Sequence, residues 1–261
     1  MTKFLRYLFS IALCLHGIGS PARAGSFDPA QFGDLALWFD AGNGPVLEGN
    51  KISAWRSRVG ELQLTQEEKA WFPTLIEKGP GGQPTAEFDY CASLTGRCKN
   101  PVKGEKVLVA VIQIPDKGQS GQARIFGLRE DEGIEAVMPD ELYLRFFFPP
   151  FEKKYGRDRF VGPLHGARAA FAKAPLRELS VVTAVYGSEK TQLFVNGENK
   201  ATTEMGLGSE GGEASMGANK KGGSYFTGLI SEILVFQGTM TDEQRAALEK
   251  TLAQKYNISL K

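Results

Sequence analysis

The chain has 261 residues, of which 42% are hydrophobic and 10% aromatic, and a formal charge of +1. That length suits one large β domain or two small domains. A charge so near zero, without any long run of like charges, excludes the positive field that holds nucleic acid and the polybasic tail that holds a membrane surface.

Met1 to Ala24 reads as a cleaved signal peptide. Lys3 and Arg6 give the basic start, Leu8 to Leu15 the apolar segment, and Ala22-Arg23-Ala24 the small-x-small cleavage site. The apolar segment is too short to span the ~30 Å hydrocarbon core of a bilayer. Residues 1–24 carry Lys3, Arg6 and Arg23 and no acid, so their removal takes the formal charge from +1 to −2. The expected location is secreted or periplasmic, with no transmembrane segment after cleavage. Residues 25–33 read as a linker and 34–261 as one domain.

Leu35 to Asp40 alternates Leu35, Leu37 and Phe39 against Ala36, Trp38 and Asp40, the period of a strand. Cys91 and Cys98 are the two cysteines left after the signal, in a chain expected in an oxidising compartment, and a disulfide is the leading reading. Two free thiols or half a metal site are the alternatives, although the spacing fits no zinc pattern. Lys106 to Ile114 is a nearly continuous apolar run and reads as a central strand. Ala123 to Leu128 and Leu142 to Phe148 are further strands. Phe151 to Leu176, rich in Lys, Arg and aromatic residues, reads as a long loop. Leu179 to Tyr186 and Thr191 to Val195 are strands, and Asn196-Gly197 is a type I′ hairpin signal before the returning strand Glu198 to Glu204.

Tyr225 to Phe236 is rich in β-branched and aromatic residues, and neither of its faces is cleanly polar. It reads as a strand covered on both sides. Thr241 and Gln244 have the spacing of a capping box, Leu248, Leu252 and Tyr256 follow at helical spacing, and Asn257 is a left-handed stop. So short a helix must dock to be stable. Ten to twelve strands and one helix predict an all-β fold, two packed antiparallel sheets with a short C-terminal α-helix.

Several stretches resemble laminin-G-like members of the concanavalin A-like lectin/glucanase superfamily. They are Leu35 to Ala41, Val46 to Trp55 with Ser57 and Gly60, Gly82 to Asp89, the FVNGE run Phe194 to Glu198, Phe226-Thr227-Gly228, Glu232 to Phe236, Thr241 to Arg245, and Lys255-Tyr256. The resemblance implies a jelly-roll sandwich. It also implies a secreted, non-catalytic module that recognises extracellular carbohydrate or a cell-surface partner protein. A glycoside hydrolase or polysaccharide lyase, or a structural protein-interaction domain, are the alternatives. The Asp that the family places after the tryptophan is absent, since Arg56, Ser57 and Arg58 stand there.

Glucanases of this fold carry a Glu-x-Asp-x-(x)-Glu run that flanks the scissile bond with carboxylates. The nearest approach here is Glu130, Glu132 and Glu135, in a stretch that reads as an acidic turn around Gly133; His165 is an isolated alternative base. Calcium at a loop rim would use Asp40, Asn43, Asp89 or Asn219, which are scattered along the chain. A sugar ring offers an apolar face to aromatics and hydroxyls to polar groups, which makes Trp55, Trp71, Tyr90, Tyr155 and Tyr225 candidate ligand contacts. Arg157 and Arg159 could pair with an acidic polysaccharide.

Overall fold

The computed structural model describes residues 27–89, 91–114, 122–129, 132–137, 143–146, 171–173, 177–203, 211–218, 223 and 225–261. The expected signal segment lies outside them. Among the described residues there are seventeen strands and one α-helix. In chain order they are β1 (Asp34–Asp40), β2 (Pro45–Glu48), β3 (Lys51–Arg56), β4 (Gln63–Thr65), β5 (Thr74–Ile76), β6 (Thr85–Phe88), β7 (Leu94–Val102), β8 (Lys106–Gln113) and β9 (Gln122–Arg129). There follow β10 (Glu132–Val137), β11 (Tyr143–Phe146), β12 (Phe171–Lys173), β13 (Ser180–Tyr186), β14 (Thr191–Val195), β15 (Glu198–Thr203), β16 (Gly211–Met216), β17 (Gly228–Gln237) and α1 (Asp242–Tyr256). No helix among them is long and apolar enough to cross a membrane.

All the strand pairings are antiparallel, and they fall into two layers. The back layer runs β1 and β6 together, then β17, β8, β13, β14 and β15. The front layer runs β2, β3, β4, β7, β16, β9, β10, β11 and β12. β5 joins the layers, pairing with β3 on one side and β6 on the other. This is the expected two-sheet sandwich.

The apolar side chains sort into two cores. Between the sheets lie Leu37, Phe39, Leu108, Ala110, Ile112, Ile233 and Val235 from the back layer, against Trp55, Leu64, Leu94, Ile125 and Met216 from the front. On the other face of the back layer, Val107, Val109, Val111, Val181, Leu234 and Phe236 meet Leu248, Leu252 and Tyr256 of α1. Burying each such side chain stabilises the fold by about 1.5–3 kcal/mol. α1 therefore docks on β8, β13 and β17, which explains why β8 and β17 read as apolar on both faces.

The helix begins with the expected capping box. Thr241 Oγ1 accepts from Gln244 N at 3.2 Å, and Gln244 Oε1 accepts from Thr241 N at 2.9 Å. It ends at Asn257, which is left-handed at φ 54°. The Asn196-Gly197 turn has positive φ at both residues, 49° and 86°.

β17 departs from simple alternation. Ile230 pairs with Ile112 but Glu232 pairs with Val111, so Ser231 is an extra residue, a β-bulge. The bulge puts Ile230, Ile233 and Val235 between the sheets and turns Glu232 toward α1.

Three sequence expectations are corrected. The acidic stretch is not a turn: Glu132–Val137 forms β10, paired with β9 and β11, and Glu130 lies outside the described residues. The strands exceed the ten to twelve expected because β2, β4, β5, β6 and β12 have only three or four residues each, too few to show a period. The disulfide is absent: Cys91 and Cys98 are both free. Cys98 is the fifth residue of extended β7. Its thiol instead donates to Asn100 O at 3.0 Å.

Candidate functional site

The back layer is closed to ligands on both faces, by the front layer and by α1. The outer face of the front layer is exposed over β3, β4 and β7, at Arg56, Thr65 and Arg97, and buried over β16 and β9, at Ser215 and Gly127. Register decides which residues it presents. Ala54 pairs with Thr65, Thr65 with Thr95, Thr95 with Ser215, Ser215 with Gly127, and Gly127 with Gly133. These residues alternate with the core-facing Trp55, Leu64, Leu94 and Met216, so they share the outer face. One row of small and hydroxyl residues thus crosses six strands. Thr65 is exposed, Thr95 half-buried, and Ser215 buried at the floor.

A taller row runs alongside. Arg56 pairs with Gln63 across β3 and β4, and Arg97 pairs with Glu213 across β7 and β16. Arg56 Nη2 donates to Gln63 Oε1 at 3.3 Å. At the end of the low row toward Ser93, Gln66 Nε2 donates to Ser93 O at 3.0 Å, and Trp71 O accepts from Ser93 N at 3.1 Å. Trp71 is 41% exposed, one of three exposed large hydrophobic residues among those described. Low hydroxyl residues between long polar side chains and an exposed indole can receive a polar chain that also has apolar faces.

The other expected ligand residues fare differently. Trp55 is fully buried, which corrects its assignment as a ligand contact. Val46 pairs with Ala54 and Leu47 with Ile52, so Ser53 is an extra residue in β3. That bulge lets both Ile52 and Trp55 point into the core, where Trp55 packs edge-on against Phe39 at 6.2 Å. Tyr225 is half-buried just before β17. Tyr90, Tyr155, Arg157, Arg159 and His165 lie outside the described residues.

The calcium candidates do not converge. Asp40 is 8% exposed and its Oδ2 takes an ion pair from Arg58 at 2.8 Å, while Oδ1 accepts from Gly42 N at 2.9 Å. Asn43 is exposed and its backbone N donates to Asp40 O. Asp89 is exposed beyond β6, with its carbonyl accepting from Ala92 N. Asn219 lies outside the described residues. Among the described residues, no cluster of three or more His, Cys, Asp or Glu is placed to hold a metal ion.

Ionisable side chains do converge beneath α1. Glu232 is 1% exposed and accepts from Trp38 Nε1 at 2.6 Å, Lys255 Nζ at 2.8 Å and Tyr256 OH at 2.8 Å. Burial pushes the Glu232 carboxyl up, and the Lys255 ammonium pulls partly against it. Burial, with Glu232 alongside, pushes the Tyr256 phenol up as well. About two turns earlier in the helix, Glu249 is raised by burial and takes Arg245 Nη1 at 2.7 Å. Arg58 stacks on Trp38, its guanidinium carbon 3.6 Å from the ring centroid. These groups tie α1, β17 and β1 together. Their carboxylates are sealed under a helix, so they form a structural lock and not a substrate site. They also explain why Glu232, Lys255 and Tyr256 belong to one sequence signature.

A surface hollow of about 590 Å³ lies beside the end of α1, lined by Lys250, Ala253, Gln254, Asn257, Ile258 and Leu260. It is wide open and lacks the converging polar groups of the front face.

Residues 157–244 match the Laminin_G_3 family, of the concanavalin A-like lectin/glucanases superfamily. That match spans about a third of the chain, and the antiparallel two-sheet sandwich agrees with it. No curated protein matches the chain significantly. Among solved structures, the chain is similar to domain 4 of AbnA, a GH43 extracellular arabinanase from Geobacillus stearothermophilus, in complex with arabinotriose. That match has 13% identity and a TM-score of 0.53, over 83% of this chain and 98% of that one. It is also similar to the binding domain of botulinum neurotoxin serotype D, at 11% identity and a TM-score of 0.58, over 84% of this chain and 52% of that one. A third is the Trypanosoma rangeli sialidase in complex with the inhibitor DANA, at 11% identity and a TM-score of 0.51, over 82% of this chain and 32% of that one. The chain spans about half of the toxin binding domain and a third of the sialidase. At these identities the likeness is one of fold.

Proposed function

We propose that this protein is an exported, non-catalytic carbohydrate-binding module whose ligand lies across the outer face of the front sheet. The observation that carries the reading is the accessible patch of Thr65, Thr95, Arg56, Gln63 and Arg97, flanked by the exposed Trp71. Hydroxyl and amide side chains exchange hydrogen bonds with sugar hydroxyls, and the exposed indole can cover an apolar sugar face. Two structures of similar fold support it: one arabinanase domain is described with arabinotriose, and a botulinum neurotoxin DC binding domain is described with SialylT. The reading gives calcium no role, because Asp40 is already engaged by Arg58.

A glycan array on the purified protein tests it. Retention of a glycan class is expected, unchanged by chelation and weakened about tenfold by Trp71→Ala, as loss of one stacked aromatic costs roughly 1–2 kcal/mol. Silence across neutral and acidic glycans would count against the reading, and turnover of the bound polysaccharide would count against its non-catalytic part.

A further inference from the structure

We propose that the glycan bound on this face is acidic, a chain whose sugars carry carboxylates, held through Arg56 and Arg97. The inference rests on the carbohydrate-binding reading and narrows it. Arg56 on β3 and Arg97 on β7 are both exposed. They flank Gln63 of the intervening strand: Arg56 pairs with Gln63 directly, and the Thr65–Thr95 register brings Gln63 opposite Arg97. Two strand spacings therefore separate the arginine positions, about 10 Å. That span is close to two sugar units of an extended chain, so one carboxylate can meet each arginine.

The chemistry of the pair is specific. A guanidinium presents a planar fork of N–H donors that matches a carboxylate with two parallel hydrogen bonds. The bond from Arg56 Nη2 to Gln63 Oε1, at 3.3 Å, steadies one corner of that fork and leaves its other donors available. A neutral sugar hydroxyl takes single hydrogen bonds from these forks, whereas a carboxylate takes two parallel charge-assisted ones. Nearby carboxylates define where the anion sits. Glu61 is engaged by Lys99 Nζ at 3.1 Å. Glu213 stands on β16, directly across from Arg97 and on the side away from Gln63. The favoured seat is the span from β3 to β7, over the exposed end of the low row.

Titration calorimetry on the purified protein tests this with polygalacturonate, alginate and hyaluronan as acidic chains. Methyl-esterified polygalacturonate and neutral arabinan are the uncharged comparisons. At least one acidic chain is expected to bind at least tenfold more tightly than either uncharged chain, and more weakly as salt rises, since partly exposed charges are screened. In a protein with both Arg56→Gln and Arg97→Gln, affinity for that chain should fall on the order of 10–100-fold, the weight of charge-assisted hydrogen bonds. The gap between free acid and ester should then close. Equal binding of ester and free acid by the unaltered protein, or unchanged acid binding by the double variant, overturns the inference and leaves the carbohydrate reading standing. Absence of binding to every acidic and neutral chain overturns both.

Discussion

Glu232 is the residue on which the docking of α1 depends, and its truncation can be worked through from the structure. Glu232→Ala removes the acceptor for three donors, Trp38 Nε1, Lys255 Nζ and Tyr256 OH. Trp38 is 6% and Tyr256 1% exposed, so neither finds water easily. Each neutral donor left unsatisfied costs about 1–3 kcal/mol. The Lys255 side chain is 21% exposed and has Asp40 Oδ1 at 4.0 Å, so its loss is the smallest of the three. The total is about 3–6 kcal/mol, a large share of the roughly 5–15 kcal/mol that stabilises a typical domain. Urea unfolding followed by far-UV circular dichroism should show a lower midpoint with the same slope. A loss below about 1 kcal/mol would refute the claim that this carboxylate locks the helix to the sheet.

The same residue gives a pH signature. Burial raises the Glu232 carboxyl above its ordinary value of 4.5. A group raised in the folded state contributes stability that is complete below its unfolded value and lost as pH rises through the folded value. The protein should therefore lose this contribution on going upward from about pH 4.5. Glu232→Gln does not titrate and should lack that component. Glu249, also raised, is common to both proteins and cancels in the comparison.

Three further outcomes follow from particular contacts. Thr95→Trp, at a half-buried position on the outer face, should fill the low row and abolish glycan retention; stability should stay within about 1 kcal/mol, as for most surface substitutions. Gly217 has φ 80°, and an added Cβ would lie 2.6 Å from Ala92 O and overlap Phe88 Cδ1, so Gly217→Ala should cost more than about 2 kcal/mol in a urea melt. Alkylation of the unreduced, denatured protein should modify both Cys91 and Cys98. In the native protein Cys98 should react more slowly than a free thiol, because burial pushes its thiol up. A mass two hydrogens lighter that resists alkylation would mean that β7 bends to bring the two sulfurs together.

What was readable from sequence depended on local pattern. β1, β8, β14 and α1 announced themselves through alternation, apolar runs and caps, and the Asn196-Gly197 turn through residue type alone. Trp55 misled because Arg56, Ser57 and Arg58 beside it look like a loop. The bulge at Ser53 that turns it inward depends on a hydrogen-bond register that no single strand reveals. Gly133 made β10 look like a turn for the same reason: its partners in β9 and β11 supply the order. The low row was invisible because Ala54, Thr65, Thr95, Gly127 and Ser215 come from five strands far apart in sequence. The one available hint was Thr95 outward-facing between Leu94 and Gly96. Trp71 was legible as an aromatic in an irregular stretch, and its exposure is what keeps it a candidate.

The central claim is that ligand contacts fall on the outer face of the front sheet. Amide chemical-shift mapping during titration with a retained glycan tests it most directly. Perturbations are expected to concentrate at Arg56, Thr65, Trp71, Thr95 and Arg97, with α1 and β17 unmoved. Perturbations centred on the hollow beside Ala253 and Ile258, or spread over residues outside the front layer, would contradict it.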